Sequence, residues 1–433
     1  MRTLKIGLLG LGQIGSGLYS ILSRKKNFFA SDVGLRFEIV KIAVKHKNKP
    51  RKVRVPAALL TTNAMDVIRH PEVDVVVELI GGVREARTYV MEALRRGKHV
   101  VTANKALLAE HGDEIFQLAN RMRRWIFFEA SVGGGIPVIK ALREGLVANK
   151  IDSIHSIING TSNYILTQMT QQKTDFAEAL SQAQKKGYAE ADPKFDIEGI
   201  DAAHKLAILT RFAFGGRVRF SDIYAEGISS IRSEDIAFAE EFGYRIKLLA
   251  IAKALPDGIE ARVQPTLLPK SHILSNVNGS YNAILIRGDE VGDVLLYGRG
   301  AGSLPTASAV ISDLMDVALR QTVRFENDCL LRAIRKPLKI KNISSILSRY
   351  YLRFHVVDRP GVLAKIAQMV GGHSISISDV IQKERSVGSV VPLILLTHPA
   401  HEHDVRRAIH TIDTLKVVRG KSQVLRIEEN GKG

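Results

Sequence analysis

The first fifteen residues most constrain what this chain can fold into. An apolar run over 4–11 leads into the sequence Gly10-Leu11-Gly12-Gln13-Ile14-Gly15, and residues 14–24 have helical character. In a strand–turn–helix unit, such glycines permit a tight turn, close approach of a pyrophosphate and close helix–strand packing. The helix N-terminus then attracts the phosphates. The segment therefore predicts a dinucleotide-binding βαβ unit, with cofactor contacts from Gly10, Gly12, Gln13, Ile14 and Gly15.

The chain continues as an alternation of strands and helices. Further strands are predicted at 37–44, 73–80, 98–104 and 125–132, and helices at 83–96 and 106–122. Apolar strands in such alternation indicate an α/β fold with a doubly wound parallel sheet. Ligands bind at the carboxyl ends of such strands. Lys105, just after the fourth strand, is therefore expected to face a nicotinamide or substrate, with a surface lysine as the alternative.

The alternation changes near residue 135. The pattern predicts a helix at 136–149, strands at 151–159, 259–268 and 281–286, and a helix at 303–322 that returns to the first domain. The last part predicts strands at 350–357, 374–383, 388–397 and 415–427, with helices at 361–371 and 402–412. This order is typical of a ferredoxin-like βαββαβ unit.

These patterns predict four parts of the chain. Residues 1–135, with a return helix at about 303–325, are expected to bind NAD(P), and 136–302 to form an α+β substrate-binding, catalytic and dimerisation domain. Residues 326–349 are expected to be a linker before a regulatory domain at 350–428.

Composition excludes several classes of protein. The net charge is +18, but Lys and Arg are spread along the chain and aromatic residues are only 6%, so we do not expect nucleic-acid binding. Cys329 is the only cysteine, which excludes an internal disulfide or a Cys₄ zinc site and fits a reducing cytoplasm. No apolar run reaches about 18 residues, so no membrane helix is expected.

The end of the second strand bears on cofactor choice. It runs Val44-Lys45-His46-Lys47, without the acidic residue that commonly holds the ribose hydroxyls of NAD. Basic side chains can instead pair with a 2′-phosphate. We therefore expect NADP(H) to be preferred, with NAD(H) as the alternative. Lys45, Lys47 and Arg51 are the candidates, unless they are solvated loop charges.

An acidic stretch, AQKKGYAEADPKFDIEGIDAAHK at 183–205, ends in a lysine. If 199–210 is helical, Asp201 and Lys205 share one face among largely apolar neighbours. A lysine in a dry pocket has a lowered pKa and can give a proton to a carbonyl oxygen during reduction. Carboxylates can hold an α-ammonium group. The alternative is a solvated acidic loop with a surface ion pair.

Several motifs carry a family resemblance. The spacing from Ala183 through Gly187-Tyr188 and Asp192-Pro193 to Lys205 resembles the signature of homoserine dehydrogenase. VTANKALLA at 101–109, FEASVGGGIPVI at 128–139, INGTSNYIL at 158–166 and YGRGAGSLPTASAV at 297–310 resemble that family in order and spacing. The resemblance implies NAD(P)H-dependent interconversion of L-aspartate 4-semialdehyde and L-homoserine, on the route to threonine, methionine and isoleucine.

The resemblance also implies roles for individual residues. Lys205 would be the proton donor, and Lys105 would polarise the aldehyde or shuttle the proton beside the cofactor. Substrate contacts would come from Glu190 and Asp201, supported by Asp196, while Gly187 and Gly302 would lie near the cofactor. Carbonyls of Glu129, Val132, Gly134 and Ile136 would hold sodium or potassium, with a plain turn as the alternative.

The segment YLRFHVVDRPGVL at 351–363 resembles the opening of an ACT domain. ACT domains commonly pair across subunits and bind amino acids, so L-threonine is the expected effector and a homodimer or homotetramer the expected assembly. Asp358, Gly361 and Leu363 mark the candidate region. A domain that only dimerises is the alternative.

Other functions fit the sequence less well. A phosphorylating aspartate-semialdehyde dehydrogenase needs a catalytic cysteine, and Cys329 lies far from the expected site. A kinase fusion is not expected, because no kinase domain precedes Met1. A non-catalytic amino-acid sensor would not need Lys105, Asp201 and Lys205, all of which are retained.

Overall fold

The computed structural model describes residues 1–320, 336–382 and 388–429. Cys329 and part of the predicted linker lie outside these ranges. Across the same ranges, no helix combines the length and apolar character needed to cross a membrane.

Seventeen strands are present in the described part of the chain. The first nine are β1 (Arg2–Leu9), β2 (Leu35–Ala43), β3 (Leu60–Thr61), β4 (Val75–Glu78), β5 (His99–Thr102), β6 (Ile126–Phe127), β7 (Ile151–Ile157), β8 (Tyr224–Ala225) and β9 (Tyr244–Leu255). The others are β10 (Gly258–Pro269), β11 (Tyr281–Gly288), β12 (Gly292–Arg299), β13 (Leu347–Val357), β14 (Ile377–Ile381), β15 (Val390–Thr397), β16 (Ala400–His401) and β17 (Gln423–Ile427).

Fourteen α-helices are present in these ranges. The first seven are α1 (Gln13–Arg24), α2 (Lys26–Ser31), α3 (Ala64–Ile68), α4 (Arg84–Arg95), α5 (Lys105–Arg121), α6 (Val138–Lys140) and α7 (Gly160–Gln172). The remainder are α8 (Phe176–Lys185), α9 (Lys194–Ile197), α10 (Ile200–Phe214), α11 (Ser233–Glu241), α12 (Ser303–Arg320), α13 (Val362–Gly372) and α14 (Glu402–Asp413).

The chain divides into two compact units, which are described separately. Unit 1 contains Met1–Ile154, His204–Ser221 and Tyr281–Leu338. Unit 2 contains His155–Ala203, Asp222–Ser280 and Lys339–Gly433.

Unit 1 is built on a parallel sheet in the order β3-β2-β1-β4-β5-β6. Its central strands are aliphatic on both faces, and Val75, Val76 and Val77 of β4 are fully buried. Such strands require helices on both sides of the sheet. Helix α12 packs on α1 at Gly17, where a Cβ atom would lie 2.6 Å from the Ser303 hydroxyl oxygen. The predicted doubly wound sheet is confirmed.

Unit 2 contains the strand order β9-β10-β17-β13-β15-β14. The last four strands, with α13 and α14, have the order 4-1-3-2 of a ferredoxin-like βαββαβ unit, as predicted. The outer edge of β10 is covered by three segments distant in sequence. Strand β8 pairs with β10 at Arg262 and Val263, β17 pairs at Thr266 and Leu267, and Ile340 forms a bridge to Ile259.

The sequence-based elements were wrong in three places. The strand predicted at 415–427 begins only at Gln423. The strand predicted at 125–132 ends at Phe127, because residues 129–131 form a 3₁₀ turn. The helix predicted at 136–149 is only α6 followed by a π turn at Ala141–Gly145. The Glu129 carboxylate accepts hydrogen bonds from the N–H groups of Ile139 and Lys140, so a tertiary contact fixes this short helix.

Candidate active site

The glycines after β1 form a cradle. Gly10 has φ of +96°, and a Cβ atom there would lie 2.6 Å from the carbonyl oxygen of Leu79. A Cβ atom on Gly15 would lie 2.4 Å from the carbonyl oxygen of Gly10. Gly12 faces open space instead, with no atom within 4 Å of its Cβ position. The first and third glycines therefore permit the fold, and the second leaves room for a ligand, which fits a pyrophosphate.

A cleft of about 1320 Å³ opens at this cradle, large enough for more than a small metabolite. Five predicted cofactor residues line it, namely Gly10, Gly12, Gln13, Lys45 and Gly302. Ile14 packs against the apolar core of unit 1 and Gly15 is buried in α1, so neither is among the lining side chains.

The loop after β2 forms a basic rim of the cleft. Lys45 and Arg51 both line the cleft, whereas Lys47 does not. The Arg51 guanidinium donates to the carbonyl oxygens of Lys47 at 2.7 Å and Lys49 at 3.0 Å, and also to that of His46. These bonds hold the loop closed and place positive charge beside the cleft.

Lys105 is the first residue of α5 and is half-buried. Asn104 caps this helix, since its side-chain oxygen accepts from the N–H of Leu107 at 3.1 Å. The cap follows directly on β5, so the lysine stands at the carboxyl edge of the parallel sheet, as expected.

Helix α10 contains both Asp201 and Lys205, one turn apart. Asp201 is 3% exposed and Lys205 is 8% exposed. The helix is apolar around them, with Ala202, Ala203 and Leu206 buried. Both charged groups are therefore removed from bulk water, unlike an ordinary surface pair.

The acidic stretch is organised by Asn159, a residue that the sequence analysis did not single out. Its side-chain amide donates to the carboxylates of Asp196 at 2.7 Å and Asp201 at 2.9 Å. The Thr161 hydroxyl lies 3.0 Å from the other Asp196 oxygen and 2.7 Å from the carbonyl oxygen of Tyr188. Two of the three predicted substrate carboxylates are thus brought together on one amide.

Asn159 also caps α7, because its Oδ1 atom accepts from the N–H of Ser162 at 2.8 Å. Its place in the INGTSNYIL motif was the only available sequence signal. Glu190, the third predicted carboxylate, is exposed, and Gly187 has φ of +73° in the turn after α8.

The predicted cation loop lies beside two buried acids. The Glu129 N–H donates to the Asp313 carboxylate at 2.9 Å, and burial raises the pKa of Glu129 to about 7. Two of the four predicted carbonyls already accept hydrogen bonds, Glu129 from Val132 at 3.3 Å and Ile136 from Val138 at 2.8 Å. Within the described residues, no cluster of three or more His, Cys, Asp or Glu side chains could hold a metal ion.

The D-x-P-G turn of unit 2 joins β13 to α13. Gly361 has φ of +86°, which favours glycine, and directly precedes the helix. The Asp358 backbone exchanges hydrogen bonds with the opposite turn, donating to Ser389 at 2.9 Å and accepting from Gly388 at 3.1 Å. Leu363 is exposed at the start of α13.

Comparisons with known proteins agree with this geometry. Residues 137–315 match the family profile described as homoserine dehydrogenase, 10–129 its NAD-binding domain, and 350–414 the ACT domain. The homoserine dehydrogenase of Pseudomonas aeruginosa is 45% identical over 434 residues, covering 99% of this chain and 100% of that protein.

Two solved structures are also similar. A homoserine dehydrogenase from Thiobacillus denitrificans has a TM-score of 0.92 and 47% identity, covering 99% of this chain and 98% of that one. A hyperthermophilic archaeal homoserine dehydrogenase in complex with NADPH has a TM-score of 0.61 and 26% identity, covering 73% and 98%. The glycine cradle and the buried lysine agree with the family profiles and with the full-length relatives. This chain therefore belongs to the homoserine dehydrogenase family, whose members are oxidoreductases of amino-acid biosynthesis, and it carries an ACT regulatory domain.

Proposed function

We propose that Lys205 donates the proton when L-aspartate 4-semialdehyde is reduced to L-homoserine. The observation that carries this proposal is a lysine only 8% exposed on an apolar helix, one turn after a buried aspartate. A nicotinamide cofactor, when bound, would supply the hydride to the aldehyde carbon. Negative charge then develops on the carbonyl oxygen, and a nearby ammonium group both stabilises that charge and neutralises it by proton transfer.

Lys105 has a second role in this proposal. Its ammonium group polarises the aldehyde or passes the proton onward. Its position at the carboxyl edge of the sheet, in the same unit as the cofactor cleft and Lys205, supports the assignment.

The acidic stretch is proposed to bind the substrate. Glu190 and Asp201 receive the α-ammonium group, and Asp196 supports them and relays a proton. Asn159 supports this role, since its amide donates to both Asp196 and Asp201 and fixes their separation without adding charge. Gly187 is proposed to lie near the bound cofactor.

NADP(H) is the proposed cofactor, with NAD(H) as the weaker alternative. The rim of the cleft carries Lys45 and Arg51, and the loop is basic from Lys45 to Lys52. A 2′-phosphate pairs with such groups, whereas a ribose hydroxyl pair needs an acid. The NADPH complex of the archaeal relative is consistent with this choice.

Three further properties are proposed. The loop of Glu129, Val132, Gly134 and Ile136 binds sodium or potassium through its carbonyls, in keeping with its resemblance to the family's cation loop. An amino acid such as L-threonine binds near Asp358, Gly361 and Leu363. The enzyme works in the cytoplasm as a homodimer or homotetramer, and the functional division of the chain into four parts stays a prediction.

The test is NADPH and NADH oxidation with L-aspartate 4-semialdehyde, with and without L-threonine, in sodium, potassium and neither. We expect turnover with a lower KM for NADPH, and inhibition by threonine. A folded protein that binds NADPH but does not turn over would instead be an amino-acid sensor.

A further inference from the structure

A fully buried carboxyl group lies in unit 1 at the end of β4, the strand next to the one that precedes Lys105. Glu78, the last residue of β4, has no exposed surface. Its Oε1 atom accepts from the N–H of Ile80 at 2.9 Å and of Gly81 at 3.4 Å, and its Oε2 atom accepts from the Thr102 hydroxyl at 2.6 Å. These three donors are all neutral. Burial accordingly raises the pKa of Glu78.

The bonds continue from Thr102 to the start of α5. The Thr102 hydroxyl accepts from the N–H of Asn104 at 3.0 Å, so that it stands between Glu78 and the helix cap. The Asn104 amide donates to the carbonyl oxygen of Gly82 at 2.6 Å, while its oxygen caps α5. Lys105 follows the cap, so its backbone is fixed from both sides.

The turn after β4 is the other end of this network. Gly81 and Gly82 have φ values of +72° and +71°, a conformation that glycine adopts readily. Glu78 fixes this turn in one place by accepting from the N–H groups of Ile80 and Gly81. Ile80 lines the cofactor cleft. Glu78 thus connects Ile80, in the wall of the cleft, to the start of the helix whose first residue is Lys105.

Among the described residues Glu78 has no cationic partner. A buried carboxyl group is then a costly way to stabilise a sheet, because an apolar side chain fills the same space without desolvating a polar group. The three hydrogen bonds that Glu78 accepts instead join the turn after β4 to the end of β5. The pairing of the two parallel strands does not by itself connect these two segments. This points to a geometric role for the group, separate from packing.

We propose that Glu78 is a positioning residue for Lys105, acting through Thr102 and Asn104, and that it also holds the Ile80–Gly82 turn against the cofactor. The inference rests on the proposed function, since it takes Lys105 to act on the substrate.

The test uses Glu78→Gln and Thr102→Val, each alone and combined with Lys105→Ala. Valine removes the hydroxyl at nearly constant volume, and glutamine removes the charge at constant shape. We expect kcat to fall by about 10- to 100-fold in either single variant, as for a catalytic group displaced by about 1 Å. When Lys105→Ala is already present, we expect Glu78→Gln or Thr102→Val to lower kcat by less than about a further 2-fold. The reason is that both changes then act on the same interaction, which Lys105→Ala has already removed.

A matched control exists in β3, the strand at the opposite edge of the same sheet. The Thr61 hydroxyl donates to Asp66 at 2.6 Å and accepts from the N–H of Asn63 at 3.1 Å, and Asn63 caps α3. Thr61→Val therefore removes the same pattern of bonds away from Lys105, and we expect kcat to remain within about 2-fold of the unmodified enzyme. Thr102→Ser, which keeps the hydroxyl, should restore the activity lost in Thr102→Val.

Binding of NADPH, followed by its fluorescence without substrate, provides a readout independent of turnover. Glu78→Gln should raise the NADPH Kd by about 3- to 10-fold through the loosened turn. Folded single variants with unchanged kcat, or equal fold-losses with and without Lys105, would overturn the role of Glu78. Absence of turnover in the unmodified enzyme would refute the proposed function instead. A failure of Glu78→Gln to fold leaves Thr102→Val to decide.

Discussion

The side-chain amide of Asn159 donates to the carboxylate of Asp201 at 2.9 Å, across 42 positions of sequence. The amide fixes the orientation of an acid that is almost wholly buried. The donor is a neutral amide, so it orients the acid without adding an opposite charge beside it.

Replacing Asn159 should weaken substrate binding. We expect Asn159→Ala to raise the KM for L-aspartate 4-semialdehyde by about 10- to 100-fold, since hydrogen bonds to charged groups contribute about 1.5–3 kcal/mol. The NADPH Kd should stay unchanged. Asn159→Ser separates the two roles of the residue, because serine is a good helix cap but is too short for both carboxylates. An unchanged KM in both variants would contradict the role.

Lys205→Ala should lower kcat by about 10²- to 10⁴-fold, the usual contribution of a positioned proton donor. NADPH should bind with nearly unchanged affinity. Lys205→Arg keeps the charge but holds its proton too tightly to donate it, so it should be almost as inactive. Equal losses of turnover and NADPH binding in Lys205→Ala would indicate a structural lysine.

Two glycines of the cradle, Gly12 and Gly15, allow the effect of a substitution on NADPH binding to be separated from its effect on stability. Gly12→Ala places a methyl group in open space within the cleft, so we expect NADPH affinity to fall while Tm is retained. Gly15→Ala places the methyl group against the Gly10 carbonyl, so Tm should fall as well. Nucleotide titration and thermal unfolding measure the two effects. A Tm loss in Gly12→Ala as large as in Gly15→Ala would refute the distinction.

Lys247 predicts a pH dependence of stability. It is buried among the oxygens of Asn163, Val277 and Asn278, and burial lowers its pKa to about 7. Its pKa rises to the ordinary value of about 10.4 on unfolding, so the unfolded chain binds more protons between these values. Stability contributed by this residue should therefore rise with pH, by at most about 1.4 kcal/mol per unit.

Urea unfolding at pH 7, 8 and 9 measures this rise. Lys247→Met cannot titrate, so its free energy of unfolding should rise less steeply with pH than that of the parent protein. Parallel slopes for the two proteins would show that Lys247 keeps its proton in the folded state.

A buried ion pair in unit 2 predicts a large loss of stability. Arg353 of β13 is 2% exposed and donates from its Nε atom to the fully buried Asp235 at 2.7 Å. Arg353→Met leaves that carboxylate without its cation, which should cost about 3–5 kcal/mol. Arg349, on the same strand, pairs with the exposed Glu429 and donates to the carbonyl oxygen of Thr397 at 3.1 Å. Because it leaves no buried carboxylate behind, Arg349→Met should cost less than Arg353→Met. Comparable losses in chemical denaturation would refute this difference.

Sequence reasoning succeeded where the information is local. The glycines from Gly10 to Gly15 and the apolar strands around them obey short-range rules, so they predicted the parallel sheet and its cleft. The D-x-P-G turn at Asp358 and its flanking periodicity likewise predicted the βαββαβ unit. The contacts of Asn159 were not predicted, because its partners Asp196 and Asp201 lie far along the chain. No spacing rule connects an amide to two later carboxylates.

The same reason explains the errors of element type. The helix expected at 136–149 is governed by Glu129, whose carboxylate selects two N–H groups in space. No prediction was made for β9, because its run of apolar residues from Leu248 to Ala252 is buried on both faces and lacks the alternation of a half-exposed strand.

The arrangement of β10 has a consequence for the order in which the protein is made. A ribosome releases β10 well before β17, the strand that completes part of its outer edge. Until the C-terminal residues emerge, the nascent chain presents an open strand edge, which is prone to pair with other chains. A truncated product would keep that edge permanently. The ACT domain at this end of the chain therefore also covers a strand edge of unit 2 during synthesis, so we expect its removal to lower solubility.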